Sequence, residues 1–157
     1  PFRILRPFSE CLRPVAKAEI ASHGRAVGRK VVNVSSVSGT TGSATQIAYA
    51  TGKAAVVGLT KTLAKEWGRY NVTVNAVAFG HIETRLTQPF DQEPPAIDVM
   101  GRKHKVGLAA AQIKAMHKTV PLGRPGTVQE AAGAIYLLCT PDADYITGEV
   151  LTCSGGA

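Results

Sequence analysis

A serine, a tyrosine and a lysine with side chains suited to proton transfer lie close together in the sequence, at Ser36, Tyr49 and Lys53. Tyr49 and Lys53 are four residues apart, which in a helix is just over one turn, so they share a face. Ser36 follows an apolar strand that leads toward this helix. A hydroxyl, a phenol and an ammonium brought together in this way can polarise and protonate a carbonyl group.

An ammonium group beside a phenol would make proton transfer easier. A free tyrosine has a pKa of about 10, which is too high for ready proton exchange near neutral pH. A positive charge nearby favours the phenolate and lowers such a pKa. None of these side chains can carry a hydride, so we expect a nicotinamide cofactor to supply the redox equivalent.

The elements around these residues predict a βαβ unit. Residues 30–34 form a short β-branched run that is typical of a strand buried on both faces. A loop of small residues (35–45) follows, and then a long apolar-striped helix (46–69) and a second buried strand (72–78). This order implies parallel strands joined by a right-handed crossover. Residues 80–84 would leave the carboxyl end of the second strand, where open α/β sheets bind their ligands.

The flanking segments predict further helices and one more strand. Residues 2–21 have apolar residues near helical spacing, but Pro7 and Pro14 predict a bent or interrupted helix. Thr127 and Glu130 form a capping-box pattern at the start of another helix. Residues 150–153 read as a last strand.

Residues 86–120 carry the weakest pattern, with three prolines and then a basic cluster at residues 102–105. A short helical stretch at residues 108–118 follows this cluster. A segment of this length outside a compact domain is usually a lid, so we expect it to cover a substrate. The basic cluster is better explained as a solvated turn than as a contact to an anionic part of the substrate.

Length and charge exclude several classes of protein. At 157 residues the chain has the size of one domain. Its net charge of +7 is spread along the chain without a nucleic-acid-binding module, so no nucleic-acid partner is predicted. No apolar run has the roughly 20 residues of a membrane span. Dispersed cysteines and no export signal favour a cytoplasmic protein, and dispersed histidines argue against a metal site.

These motifs together resemble the short-chain dehydrogenases/reductases. The active-site pattern of that family is Asn-x-Ser-Ser followed by Tyr-x-x-x-Lys, and it is matched by Asn33 to Ser36 and by Tyr49 to Lys53. Further similarity, chiefly to the β-ketoacyl-carrier-protein reductases, lies in residues 58–66, 74–77, 144–148 and 155–156. The resemblance implies an α/β fold with a Rossmann-like parallel sheet and flanking helices.

The resemblance also implies a role for each catalytic residue. Ser36 would orient the substrate carbonyl, Tyr49 would be the acid/base, and Lys53 would hold the nicotinamide ribose and tune Tyr49. Taken singly, Ser36 would more often be a loop or capping serine, and Tyr49 with Lys53 a surface pair. Only their combination at this spacing favours the catalytic interpretation.

Residues 79–84 resemble the Pro-Gly-x-Ile-x-Thr turn of the family, with Phe79 in place of the proline. The resemblance makes Gly80, Ile82 and Thr84 contacts for the nicotinamide end of the cofactor, which would be NADP or NAD. Thr84 alone would usually be a helix N-cap, and that role is compatible with a cofactor contact.

No G-x-G-x-x-G motif occurs in the chain. In the family this glycine-rich βαβ half, the residue that selects NAD or NADP and a catalytic asparagine would all precede residue 1. We therefore expect residues 1–157 to be the C-terminal, catalytic portion of a single Rossmann-like domain. Its strands at 31–34 and 72–78 would each lack a partner on one side.

Two functions follow from the sequence. The first is an NAD(P)-dependent oxidoreductase that acts on a ketone or secondary alcohol, with a 3-oxoacyl thioester as the expected substrate. The second is a non-catalytic fragment that serves as an oligomerisation module. Family members commonly form homodimers or homotetramers through the helix bearing the tyrosine and lysine and through the last helix and strand, and the resemblance implies the same here.

Overall fold

The computed structural model describes residues 1–87, 89–90 and 93–157. The helices are α1 (Phe2–His23), α2 (Ile47–Trp67), α3 (Ala110–Thr119) and α4 (Val128–Leu137). The strands are β1 (Arg29–Ser36), β2 (Val72–Phe79), β3 (Pro89–Phe90), β4 (Ala96–Val99), β5 (Arg102–Lys105), β6 (Leu108–Ala109) and β7 (Val150–Cys153). The predicted α/β class is confirmed.

The main sheet is parallel and, within the described residues, has the strand order β1-β2-β7. The prediction that both 31–34 and 72–78 would lack a neighbour on one side is wrong for the second strand, because β2 is central. Asn75 helps to hold β7 in place, since its side chain donates to Ile146 O at 2.8 Å and accepts from Glu149 N at 3.0 Å. Both contacts lie in the connection that leads into β7.

Helices cover both faces of the central strand. Successive residues of a strand point to opposite faces, and in β2 Val72 and Val74 belong to the cluster formed with α1 and α2. Val77 instead packs in the cluster that includes Ala134 of α4 and Leu138, the residue that follows this helix. This burial of β2 between helix layers explains why its sequence shows an apolar run rather than an apolar–polar alternation.

Helix α1 runs through both of its prolines, so the predicted interruption is wrong. Pro7 and Pro14 lie on its exposed side, where the carbonyl groups that they leave without an amide partner can be hydrated. On the opposite side Leu12 is buried against the core, and Phe8 stacks at a tilt on Trp67 with ring centroids 5.5 Å apart. Tertiary packing therefore maintains the helix where local propensity would break it.

The segment 86–120 forms small ladders rather than part of the main sheet. Strands β4 and β5 pair as an antiparallel hairpin, and β3 pairs with β6 in parallel. The basic cluster is the exposed strand β5, not the turn that was expected. The helical stretch predicted at 108–118 is confirmed as α3 from residue 110 onward, whereas its first two residues form β6. Gln88, Asp91 and Gln92 of the predicted lid lie outside the described residues.

None of the helices in the described part of the chain is both long and apolar enough to cross a membrane.

Candidate active site

The predicted site residues meet where the parallel strands end. Ser36 is the last residue of β1, Tyr49 lies in the first turn of α2, and residues 80–84 follow β2. An open cleft of about 1250 Å³ lies between these elements. Five of the six predicted site residues line it: Ser36, Tyr49, Gly80, Ile82 and Thr84. The sixth, Lys53, lies one helical turn beyond Tyr49.

Ser36 is held in an orientation that suits a hydrogen-bond donor. Its side chain is largely buried, and its Oγ accepts a hydrogen bond from the Ser38 backbone N–H at 3.2 Å. With this lone pair engaged, the hydroxyl hydrogen can point toward an oxygen atom in the cleft. The short 3₁₀ turn at residues 37–39 supplies the donor, so the strand end and the turn together orient Ser36.

Tyr49 and Lys53 form the close pair that their spacing predicts. The Lys53 Nζ lies 5.6 Å from the centroid of the Tyr49 ring, within the range of a cation–π contact. The same ammonium donates to Val34 O at 3.1 Å, which ties it to the end of β1. Half of the Tyr49 side chain is exposed, so a substrate in the cleft could reach it.

Gly80 is needed for close packing. A Cβ at position 80 would lie 2.7 Å from Ser154 Cβ, closer than side-chain atoms can approach. The backbone N–H of Gly80 donates to Cys153 O at 3.0 Å, which joins the end of β2 to the end of β7. Any cofactor contact at Gly80 would therefore use its carbonyl oxygen or its Cα rather than its N–H.

Ile82 and Thr84 lie in a turn fixed by hydrogen bonds on both sides. Ile82 forms a parallel bridge with Gly126, supported by Glu83 N–H donating to Gly126 O at 2.8 Å. The Thr84 N–H donates to Thr87 Oγ1 at 2.8 Å, and the Thr87 hydroxyl donates to Ile82 O at 2.9 Å. Thr84 Oγ1 accepts from Leu86 N–H at 3.3 Å, so it caps a 3₁₀ turn rather than an α-helix.

Several residues outside the predicted set also line the cleft, among them Thr87, Val128 and Ala131. Thr87 had a local signal, because it lies three residues after Thr84, at the spacing of a turn hydrogen bond. Val128 and Ala131 belong to α4 and had none. They reach the cleft because the bridge between Ile82 and Gly126 brings the start of α4 to it.

The start of α4 is fixed by the predicted capping box, which is confirmed. Thr127 Oγ1 accepts from Glu130 N–H at 3.1 Å, and Glu130 accepts from Thr127 N–H at 2.8 Å. Hydrogen bonding from Arg124, with the Thr127 N–H, lowers the pKa of Glu130 to about 2. Burial, with the nearby charge of Glu130, raises the pKa of the Cys153 thiol above its usual range.

The ranges 1–87, 89–90 and 93–157 contain no group of three or more His, Cys, Asp and Glu side chains arranged for a metal ion. The cleft is lined by hydroxyl, aromatic, small and aliphatic groups together with the side chains of Gln46 and His81, and an ammonium lies behind the tyrosine.

Comparison with known proteins places this geometry in a family. Residues 8–157 match the family model described as enoyl-(acyl carrier protein) reductase. The chain is 42% identical over 127 residues to the 3-oxoacyl-[acyl-carrier-protein] reductase FabG of Aquifex aeolicus, covering 81% of this chain and 44% of the relative. With FabG of Chlamydia muridarum it is 36% identical over 148 residues, covering 94% and 49%. The chain thus spans less than half the length of these relatives.

Solved structures show the same fold. A 4-hydroxyisoleucine dehydrogenase complexed with NADH superposes with a TM-score of 0.64 at 28% identity, over 92% of this chain and 51% of that one. A short-chain dehydrogenase/reductase (glucose/ribitol dehydrogenase) from Brucella melitensis gives a TM-score of 0.62 at 26% identity, over 81% and 42%. The family match and these similarities show that the chain belongs to the short-chain dehydrogenases/reductases, and the arrangement of the cleft agrees with this.

Proposed function

We propose that the protein containing this chain is an NAD(P)-dependent oxidoreductase acting on a ketone or secondary alcohol. The observation that carries the proposal is that Ser36 and Tyr49 line one cleft at the strand ends, with the Lys53 ammonium beside the Tyr49 ring. A 3-oxoacyl thioester is the first-choice substrate, because the FabG relatives are named for 3-oxoacyl-[acyl-carrier-protein] reduction.

In this proposal the side chains of the cleft handle the oxygen atom and the proton. Ser36 donates a hydrogen bond to the carbonyl oxygen, because its Oγ already accepts from Ser38 and its hydrogen is left for the substrate. Tyr49 gives a proton to that oxygen during reduction and takes it back during oxidation. Once Tyr49 has given up its proton, the resulting negative charge lies beside the Lys53 ammonium.

NADP or NAD, when bound, supplies or accepts the hydride. The residues present fit the nicotinamide end, since the turn after β2 borders the cleft and Gly80, Ile82 and Thr84 all line it. We assign Gly80, Ile82 and Thr84 to that end, and Tyr49 with Lys53 to the ribose. NADH is bound in one of the structural neighbours, which supports this choice of cofactor.

We further propose that residues 86–120 form a lid over the substrate. Thr87 at the start of this segment lines the cleft. The base of the β4–β5 hairpin is joined to the same rim, because Gly107 N–H donates to Leu86 O at 3.0 Å. A substrate that enters beside Thr87 would therefore meet this segment first.

Substitution of Tyr49 by phenylalanine in the complete protein tests the assignment. Loss of the phenolic proton should reduce carbonyl reduction by about 10²–10⁴-fold, because general acid catalysis contributes that much. The unfolding midpoint should stay at the wild-type value. Tyr145→Phe is the matched control, since Tyr145 is fully exposed and outside the cleft. Turnover at the wild-type rate in Tyr49→Phe would refute the proposal.

Assembly is the second candidate function, and exposed apolar side chains favour it. Phe2 and Ile4 on α1 are each more than 60% exposed, as are Tyr136 and Leu137 on α4. We propose that such faces are covered in a homodimer or homotetramer. Sedimentation of the 157-residue chain would show association, and titration with NADH and NADPH would separate the two functions. Saturable binding of NADH or NADPH would support the enzyme function. Self-association without binding of either nucleotide would support the oligomerisation module.

A further inference from the structure

Lys53 is held at three points by residues 34–39. Two of these contacts, those with Ser35 and Gly39, have no part in the chemistry described above. We propose that Ser35 and Gly39 are positioning residues, which set the distance of α2 from β1 and thereby hold Tyr49 and Lys53 at the cleft. The inference rests on the proposed function, since it takes Tyr49 and Lys53 as the acid/base pair.

The first contact is a buried hydrogen bond from strand to helix. Ser35 is 2% exposed, and its Oγ donates to the backbone carbonyl of Lys53 at 2.9 Å. Consecutive residues of a strand point in opposite directions. The two serines at the end of β1 therefore differ in role: the Ser35 hydroxyl is bonded to α2, whereas Ser36 lines the cleft.

The second contact is a close backbone approach that only glycine permits. A Cβ on Gly39 would lie 2.6 Å from the carbonyl carbon of Lys53, 2.7 Å from its Cβ and 2.8 Å from Ala54 N. Each distance is well inside van der Waals contact, and two of the three atoms belong to the backbone. Any side chain at position 39 must therefore push the turn and the helix apart.

The third contact is the Lys53 ammonium on Val34 O, at 3.1 Å. The strand and the turn thus hold Lys53 at three places. Ser35 bonds to its carbonyl oxygen, Gly39 packs against its main chain, and Val34 accepts from its ammonium. Tyr49 precedes Lys53 by one turn of the same helix, so a shift of the helix at Lys53 also moves the phenol. A displacement of about 1 Å can cost a catalytic group about 100-fold in rate.

The chain offers a matched control for this arrangement. Asn33 donates from Nδ2 to Thr60 Oγ1 at 3.0 Å, which is a second buried bond between β1 and α2. Thr60 lies seven residues beyond Lys53, or about 10 Å farther along the helix. Thr60 Oγ1 also donates to Val56 O at 2.8 Å, so loss of this hydroxyl should weaken the fold no less than loss of the Ser35 bond but should leave the cleft unchanged.

The test compares Ser35→Ala, Ser35→Thr, Gly39→Ala and Thr60→Val in the complete protein. Ser35→Ala should lower kcat about tenfold with KM within twofold, and Gly39→Ala should lower kcat about 100-fold, because both move the acid/base pair. Ser35→Thr restores the hydroxyl and should recover most of the rate. Thr60→Val should lower the unfolding midpoint at least as much as Ser35→Ala and leave kcat within twofold.

A spectroscopic measurement does not depend on turnover. The protein is labelled with ¹³C at the tyrosine Cζ, and the NMR signal of Tyr49 is assigned by its absence in Tyr49→Phe. The chemical shift of this signal should change in Ser35→Ala and stay at the wild-type value in Thr60→Val. A signal that moves in neither variant, or equal losses of kcat in both, would overturn the inference. If the wild type reduces no ketone, the proposed function fails, and the signal alone then decides the positioning role.

Discussion

The two ends of the three-stranded sheet use polar side chains in opposite ways. At the amino end these groups bond to one another: Arg29 donates to both carboxylate oxygens of Glu19, at 2.6 and 3.0 Å, and Asn71 donates to Ala26 O at 2.9 Å. The hydrogen bond from Arg29 lowers the pKa of the Glu19 carboxyl. At the carboxyl end Ser36 and Tyr49 instead line an open cleft.

This difference follows from the parallel arrangement. All strand ends of one kind lie at one edge, so a single edge can collect groups for a ligand while the other is closed by internal bonds. We therefore expect substitutions at the carboxyl end to change the rate more than the stability. Substitutions at the amino end should do the reverse.

After Tyr49→Phe, the largest expected effect is on the rate, from Ser36→Ala in the complete protein. Loss of the hydrogen bond to the carbonyl oxygen should reduce kcat by about 10²–10³-fold, as for other donors to a developing oxyanion. The control is Ser22→Ala, because Ser22 lies near the amino end and its hydroxyl donates to Ala18 O within α1. Steady-state kinetics of both variants measures the difference. A similar kcat for the two would remove the distinction between the sheet ends.

A smaller effect, on stability alone, is expected from Asn71→Ala at the amino end. Asn71 has a positive φ of 56°, which alanine adopts less readily, and its side chain bonds to Ala26 O. The two losses should lower the free energy of unfolding by about 1–3 kcal/mol. Urea denaturation measures this change, and kcat should stay within twofold of the wild type.

Asn71→Gly separates the two causes. Glycine accepts the positive φ, so only the side-chain hydrogen bond is lost and the expected destabilisation is about 0.5–1.5 kcal/mol. Equal destabilisation by glycine and alanine would mean that the backbone conformation contributes nothing.

The smallest effect concerns Glu130, which lies in the first turn of α4 and has a structural role in the capping box. Its pKa of about 2 in the folded protein is below the ordinary 4.5. The stabilisation from its ionised form is therefore complete above about pH 4.5 and lost as the pH falls toward 2. In Glu130→Gln, unfolding measured between pH 5 and pH 2 should lose part of its pH dependence. A pH dependence unchanged from the wild type in Glu130→Gln would contradict this role.

Features with a short-range cause could be predicted from the sequence. The β-branched run before Ser36 predicted β1, the four-residue spacing predicted the Tyr49–Lys53 contact, and the Thr127–Glu130 pattern predicted the capping box. The structure brings Ser36 and Tyr49 to one cleft, although their catalytic roles stay predictions.

Features decided by distant contacts could not be predicted. Helix α1 passes through Pro7 and Pro14 because its other side is buried on the core, and no local pattern reports that burial. Val128 enters the cleft because Gly126 bridges Ile82, two residues that are far apart in the sequence. The contact of Gly39 with Lys53 had no signal either, since a glycine in a small-residue loop looks the same whether or not a helix lies against it.

The hydrogen bond from Gly80 to Cys153 has a consequence for the order of folding. Paired residues of β1 and β2 are 43 positions apart, as in Arg29 with Val72, whereas those of β2 and β7 are 74 apart, as in Ala76 with Val150. Contacts between more distant residues close larger loops and form more slowly. We therefore expect α2, which connects β1 and β2, to dock first, and the part of the cleft where Gly80 meets β7 to be completed later.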